Sequence, residues 1–164
     1  MIIYLDIDDV VADWYNHAQD YLGIRWDKED NWHIPDSSWK KLKEYQRFYR
    51  DLPLKAGANE LVAWVTNYAD SHNGVEVRFL SALPHNNDIH WAVWDKVQWI
   101  QKYFQGIPVF LGPYSNDKQR HCRPGDILID DRIANCEQWE AVGGAAHIYD
   151  NWEDCKAWLE KTLP

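Results

Sequence analysis

Cysteine is scarce in this chain. Its 164 residues hold three, Cys122, Cys136 and Cys155, and none has a neighbour at metal-ligand spacing. That excludes a disulfide-stapled scaffold and a thiolate zinc site, and it predicts reduced thiols in a cytoplasmic protein. Long apolar runs are missing as well: none approaches the roughly 18 residues a membrane helix needs. The amino terminus, MIIYLDIDD, has no cationic leader and reaches acid at Asp6, so no signal peptide is read there. Cations are the minority charge, 17 Lys and Arg against 26 Asp and Glu, for a formal net charge of −9. Extended nucleic-acid binding needs clustered cations, and a chain this acidic repels a polyanion. A small phosphate ester in a local pocket remains compatible. Neither a P-loop nor a GxGxxG glycine pattern is present, which removes nucleotide-driven phosphoryl transfer and dinucleotide chemistry. The charge and cysteine counts set no oligomeric state.

What is present is a core-forming composition, 46% hydrophobic with eleven tryptophans. Short apolar runs at 1–5, 75–80, 109–111, 127–129 and 145–149 read as buried strands. Helical patterns lie between them. Leu61, Val62, Val65 and Tyr68 form one stripe; Trp94, Val97, Ile100 and Phe104 form a second; residues 152–159 make a last short helix. Strands alternating with helices predict an α/β fold, a doubly wound parallel sheet of about five strands. Residues 14–55 break the rhythm with no convincing strand. Pro35-Asp36-Ser37-Ser38 reads as a helix start, and Trp39, Leu42, Tyr45, Phe48 or Tyr49, and Leu52 follow at helical steps. The segment reads as a small helical cap inserted after strand one, leaving 1–13 and 56–164 as the core domain. Its cations at 40–50 read most simply as a solvated helix face.

In open parallel sheets, ligands bind at the carboxyl ends of the strands. The residues there form a compact chemical set. Asp6 and Asp8 follow strand one, Ser81 follows strand two, Lys118 precedes strand four, and Asp130 and Asp131 follow it. Carboxylates gathered on one rim repel each other unless a divalent cation is bound, and hard oxygen donors without His or Cys suit magnesium.

DIDDVVADW at the start, FLS ending at Ser81, Lys118 and DILIDDR, in that order, resemble the motifs of the haloacid-dehalogenase (HAD) superfamily of phosphohydrolases. DLPLKAGANELVAWV, DKVQWIQKYFQG and NDKQRHCRPGDILIDDR bring the resemblance closer to the 5′(3′)-deoxyribonucleotidase branch. The resemblance implies Asp6 as the nucleophile that takes the phosphoryl group. Asp8 would be the acid that protonates the leaving alkoxide and then activates water. It implies Ser81, Lys118 and Lys96 as phosphate contacts. The magnesium set would be Asp6, the main-chain carbonyl of Asp8, and Asp130, with Asp131 beside them. Trp14 would lie against a nucleobase, and Arg132 would reach the substrate. Trp26, Trp32 and Trp39 either wall a base pocket or pack the cap. His85 and His90 read as solvated loop residues, and Cys122 lacks a histidine partner for thiol catalysis. Two positions depart from the family pattern: Asp9 stands where a glycine is usual, and Ala82 replaces a serine.

The expected activity is magnesium-dependent hydrolysis of nucleoside monophosphates. Two alternatives stay open: a phosphatase of polynucleotide 3′ or 5′ ends, and an inactive HAD-like binding module. A signalling receiver domain would carry its lysine after the acidic pair rather than before it. A calcium loop would need oxygen donors where Val10 and Val11 stand.

Overall fold

The computed structural model describes residues 1–25, 34–84, 89–112 and 114–163. Five parallel strands form one sheet: β1 (Ile2–Leu5), β2 (Glu76–Ala82), β3 (Val109–Gly112), β4 (Ile127–Asp130) and β5 (Ala145–Ile148). Their spatial order is β3-β2-β1-β4-β5. The helices are α1 (Trp14–Leu22), α2 (Asp36–Glu44), α3 (Ala58–Ser71), α4 (Ala92–Tyr103), α5 (Ile133–Ala141) and α6 (Trp152–Thr162), with a 3-10 helix over Ser115–His121. No helix among the described residues is long and apolar enough to cross a membrane.

Strand alternation sorts the core into two layers. Ile3 and Leu5 point to one face with Phe79, Ile127 and Ile129. Ile2 and Tyr4 point to the other, where Leu80, Leu128, Cys136 and Trp139 pack. Trp139 is fully buried there, edge-on to Tyr4 at 5.2 Å, and its indole N–H donates to the Asp126 carbonyl at 3.1 Å. Asp126 in turn accepts from the backbone N–H of Ile2 at 2.7 Å and of Arg123 at 3.1 Å.

The connection from β1 runs to β2 on one side, and the connection from β4 runs to β5 on the other. The sheet therefore switches direction between β1 and β4, and the carboxyl ends there carry Asp6 and Asp130. The predicted strands stand with small shifts. β2 runs on through Ser81 and Ala82, so Ser81 lies inside the strand, paired with Leu111, rather than beyond its end. Asp130 likewise is the last residue of β4.

One helical face is corrected. The stripe predicted to bury Trp94 faces outward: Trp94 is 62% exposed, and α4 buries Ala92, Asp95, Lys96, Trp99 and Ile100. Two charged residues turn inward because each finds a partner there, so the apolar pattern alone misplaces the face.

α3 begins after Gly57, whose φ of 82° is the left-handed conformation glycine tolerates. A Cβ there would also lie 2.6 Å from the Cβ of Trp152, at the start of α6. Gly57→Ala therefore adds backbone strain to a clash. A loss of about 1–3 kcal/mol is expected in urea unfolding, and a neutral result would show that α3 and α6 can shift apart.

Candidate active site

β1 delivers Asp6 at the switch point and the chain then turns tightly. The backbone N–H of Val11 and of Ala12 both donate to the Ile7 carbonyl, and Asp9 N–H donates to Ala12. Asp9 sits inside this turn with φ 59°, the left-handed conformation in which the resemblance places a glycine. A buried carboxylate is tolerated there because the Tyr15 N–H, in the first turn of α1, donates to it at 3.1 Å, and the Lys55 ammonium stands 3.8 Å away. The departure at Asp9 thus ties the turn after β1 to the start of α1.

Asp6, Asp130 and Lys118 form the centre. Lys118, on the 3-10 helix, is 1% exposed; its ammonium lies 2.6 Å from Asp130 and 2.8 Å from Asp6. Burial alone would lower the proton affinity of that ammonium. The carboxylates of Asp130 and Asp6 outweigh it, and Lys118 is held above its ordinary range. Asp6 also accepts from Ile7 N–H at 2.7 Å, which fixes one carboxylate oxygen by the backbone. Asp130 accepts from Arg132 N–H at 3.0 Å and from the Asn135 amide at 2.8 Å. Asn135 was not singled out from sequence; nothing marks an asparagine on α5 until β4 places Asp130 beside it. Cys136 lies close by, its Sγ 3.7 Å from the Asp130 carbonyl, and burial pushes its thiol up to about 12, so no thiolate nucleophile is available there.

Asp8 and Lys96 form the second group. Lys96 is 1% exposed on the inner face of α4 and donates to Asp8 at 2.5 Å and to Ser81 at 2.9 Å. That burial takes Lys96 off the helix surface and sets its ammonium between Asp8 and Ser81. Desolvation raises the proton affinity of Asp8; Lys96 opposes it and Asp6 adds to it, with a net upward shift. One Asp8 oxygen is buried without a hydrogen-bond partner among the described residues. A carboxyl so placed holds a proton more readily than an exposed aspartate, as a general acid must.

Asp6, Asp130 and Asp131 each offer an oxygen, all within 4.8 Å of one another. Three hard donors with no nitrogen or sulfur among them can hold a divalent cation such as magnesium. Asp131 shows the strain of the cluster. Burial pushes its carboxyl well up, and the charges of Asp130, Asp9 and Asp6 push it further against the pull of Lys118. Such a group binds its proton more tightly folded than unfolded, so its stabilising effect is whole below the unfolded value and lost as pH rises. In chelator, the melting temperature is expected to fall from this cause as pH rises above about 4. Asp131→Asn should flatten that slope, and an unchanged slope would assign the effect elsewhere.

A cavity of about 650 Å³ opens over these groups. Asp6, Asp8, Lys118 and Asp131 lie on its wall, together with Trp14 and Trp39 from α1 and α2, Tyr49, and Tyr114 and Arg132 near the 3-10 helix and α5. Trp14 is only 5% exposed, packed against Trp39 and Phe48 at 6.0 and 5.8 Å. Little of its ring is left for stacking; Trp39 is half-buried and offers more. Arg132 is exposed, with one guanidinium N–H donating to Ser115 Oγ at 3.2 Å. Ser81 and Lys96 do not line the cavity: the buried Lys96 ammonium bridges Asp8, which does, to Ser81 Oγ. Of the remaining residues read from sequence, His90 is exposed, and Trp26, Trp32 and His85 fall outside the described residues.

No protein-family model matches the chain, and no curated protein matches it. Solved structures do. A hydrolase from Streptococcus pneumoniae aligns over 97% of this chain and 97% of its own, at 14% identity and a TM-score of 0.54. The HAD-hydrolase YfnB from Bacillus subtilis, bound to magnesium, aligns over 99% of this chain and 98% of its own, at 10% identity and a TM-score of 0.54. A HAD-family enzyme from Bacteroides thetaiotaomicron, in a magnesium complex, covers 96% of each chain at 14% identity and a TM-score of 0.53. At these identities the shared property is the fold: the chain has the α/β architecture of HAD hydrolases, a five-stranded parallel sheet between helices.

Proposed function

We propose that the chain is a magnesium-dependent phosphomonoesterase of the HAD type that acts on nucleoside monophosphates, deoxyribonucleotides among them. One observation carries the reading. Asp6, held by Ile7 N–H and Lys118, shares a wall of one cavity with Asp8, whose proton affinity is raised, while Trp14, Trp39 and Tyr49 also line that cavity. The magnesium complexes of two HAD proteins of the same fold support the metal. Residues 14–55 act as the cap in this reading, since α1 and α2 supply the indoles.

In the first half of the reaction a carboxylate oxygen of Asp6 attacks phosphorus and the bond to the leaving oxygen breaks. Asp8 gives that oxygen its proton. In the second half Asp8 takes a proton from water, which attacks the aspartyl-phosphate and frees Asp6 and inorganic phosphate. Lys118 neutralises charge on the phosphoryl oxygens, and Lys96 holds Asp8 in place. A magnesium ion held by Asp6, Asp130, Asp131 and the Asp8 carbonyl would supply positive charge between the attacking carboxylate and the phosphate dianion. Arg132 at the mouth offers a guanidinium to the leaving group or its phosphate.

The test is a phosphate-release screen over nucleoside monophosphates, with magnesium and with chelator, beside p-nitrophenyl phosphate and a 5′-phosphorylated oligonucleotide. Release from mononucleotides that chelator abolishes is the expected outcome. Magnesium should also raise the melting temperature, by about 2.7 kcal/mol of added stability at a hundred times its Kd. Faster hydrolysis of the oligonucleotide than of any mononucleotide would favour a polynucleotide-end phosphatase. Silence on every ester would make the chain a binding module.

A further inference from the structure

The stretch that leads out of the inserted segment grips α4 at three successive places. The Tyr49 ring lies 5.0 Å from the Lys96 ammonium. Arg50 donates through Nε at 3.0 Å and Nη2 at 2.5 Å to one oxygen of Asp95. The Leu52 carbonyl accepts from the Trp99 indole at 2.7 Å. Asp95 is completely buried and its other oxygen has no hydrogen-bond partner among the described residues, so its hydrogen-bonded countercharge is the Arg50 guanidinium. Arg50 stays partly exposed while Asp95 is buried, so the desolvation of Asp95 consumes much of the attraction and the pair is a poor source of stability; what it fixes well is position.

The residue next to Asp95 is Lys96, whose ammonium joins Asp8 to Ser81. We propose that Arg50 and Asp95 are positioning residues: the ion pair sets the placement of α4 so that the Lys96 ammonium meets Asp8, and so ties proton donation by Asp8 to the seating of the cap stem. The proposal rests on the phosphomonoesterase reading for its catalytic consequence, though not for the placement of Lys96. The two carboxylates served by the arrangement differ in what they face. Asp6 is held by the Ile7 N–H and by Lys118, neither of them on α4, whereas Asp8 is held by Lys96 of α4.

That asymmetry defines the experiment, on the full chain with R50M, R50K and D95N. The first arm labels the folded protein with acetic anhydride and reads each lysine by mass spectrometry. Lys96 and Lys118 are both buried and should both be protected in wild type. In R50M, labelling of Lys96 should rise by about tenfold or more through local opening while Lys118 stays protected, with R50K and D95N between. The second arm compares esters. Loss of proton donation matters for an alkoxide leaving group and little for p-nitrophenolate, which needs no proton. The quantity to compare is kcat/KM, which covers the steps up to release of the leaving group and so leaves out the hydrolysis of the aspartyl-phosphate that both esters share. R50M should lower it by about tenfold or more for a deoxynucleoside monophosphate and by less than about threefold for p-nitrophenyl phosphate. R50M/K96M should be no slower than K96M, because the ion pair acts through Lys96.

Lys96 protection in R50M equal to wild type overturns the proposal, as do equal losses on both esters that track the melting temperature. Should R50M fail to fold, R50K and D95N carry the same comparisons. A wild type silent on both esters sinks the phosphomonoesterase reading instead, and the labelling arm still decides whether the ion pair places Lys96.

Discussion

Asp6→Asn should leave a folded protein that hydrolyses no phosphate ester at a measurable rate. The amide has the shape of the carboxylate, and its carbonyl can still accept from Ile7 N–H, as Asp6 does at 2.7 Å. Its NH2 group then faces the Lys118 ammonium, where the carboxylate stood 2.8 Å away. Two donors meeting there cost about 1–3 kcal/mol, a tolerable loss for a domain of this size. The chemical loss is of another order. An amide oxygen cannot carry the phosphoryl group, so kcat should fall by about a thousandfold or more. Circular dichroism and a melting curve establish the fold; phosphate release from a mononucleotide reads the activity. A rate within tenfold of wild type, in a preparation free of other phosphatases, would remove Asp6 from the mechanism.

Asp6 was legible in the sequence because strand one is short, apolar and abruptly ended by acid, and a parallel sheet must present that acid at its carboxyl end. Asp130 and Asp131 were legible on the same ground. Ser81 was legible as a residue but misplaced by a position or two, since nothing in VEVRFLSA marks where pairing with β3 stops. The face of α4 was misread for a physical reason. Counting apolar residues assigns Trp94 to the core, yet Asp95 is buried in its stead, and a buried carboxylate is acceptable once Arg50 reaches it from 45 residues away. Long-range pairs of this sort leave no local trace. The role of Asn135 was hidden likewise, since its contacts to Asp130 and Ser115 exist only when β4, α5 and the 3-10 helix have come together. Asp9 is the reverse case: the departure from glycine was visible, but its use in holding the start of α1 was not.

Lys118 is the residue on which fold and chemistry meet, and Lys118→Met should damage both. Methionine fills a similar volume without charge, so the change removes the ammonium from between Asp6 and Asp130 and opens no large cavity. Both carboxylates are buried, and burial already pushes the Asp130 carboxyl up against the opposing pull of Lys118. Breaking a buried pair from one side typically costs 3–5 kcal/mol, so in chelator the urea midpoint should drop by about that much in free energy. Magnesium supplies a replacement cation to the same carboxylates and should restore a larger share of stability in K118M than it adds to wild type. Activity should not return with it. In the proposed mechanism the ammonium that pairs with Asp6 also neutralises charge on the phosphoryl oxygens, and removing one such group from an enclosed site costs about a hundredfold or more in kcat. The two readouts separate the roles: urea unfolding in chelator and in magnesium measures the structural one, phosphate release at saturating magnesium the catalytic one. K118M as stable as wild type in chelator would mean that Asp6 and Asp130 hold each other without the ammonium, by sharing a proton between them.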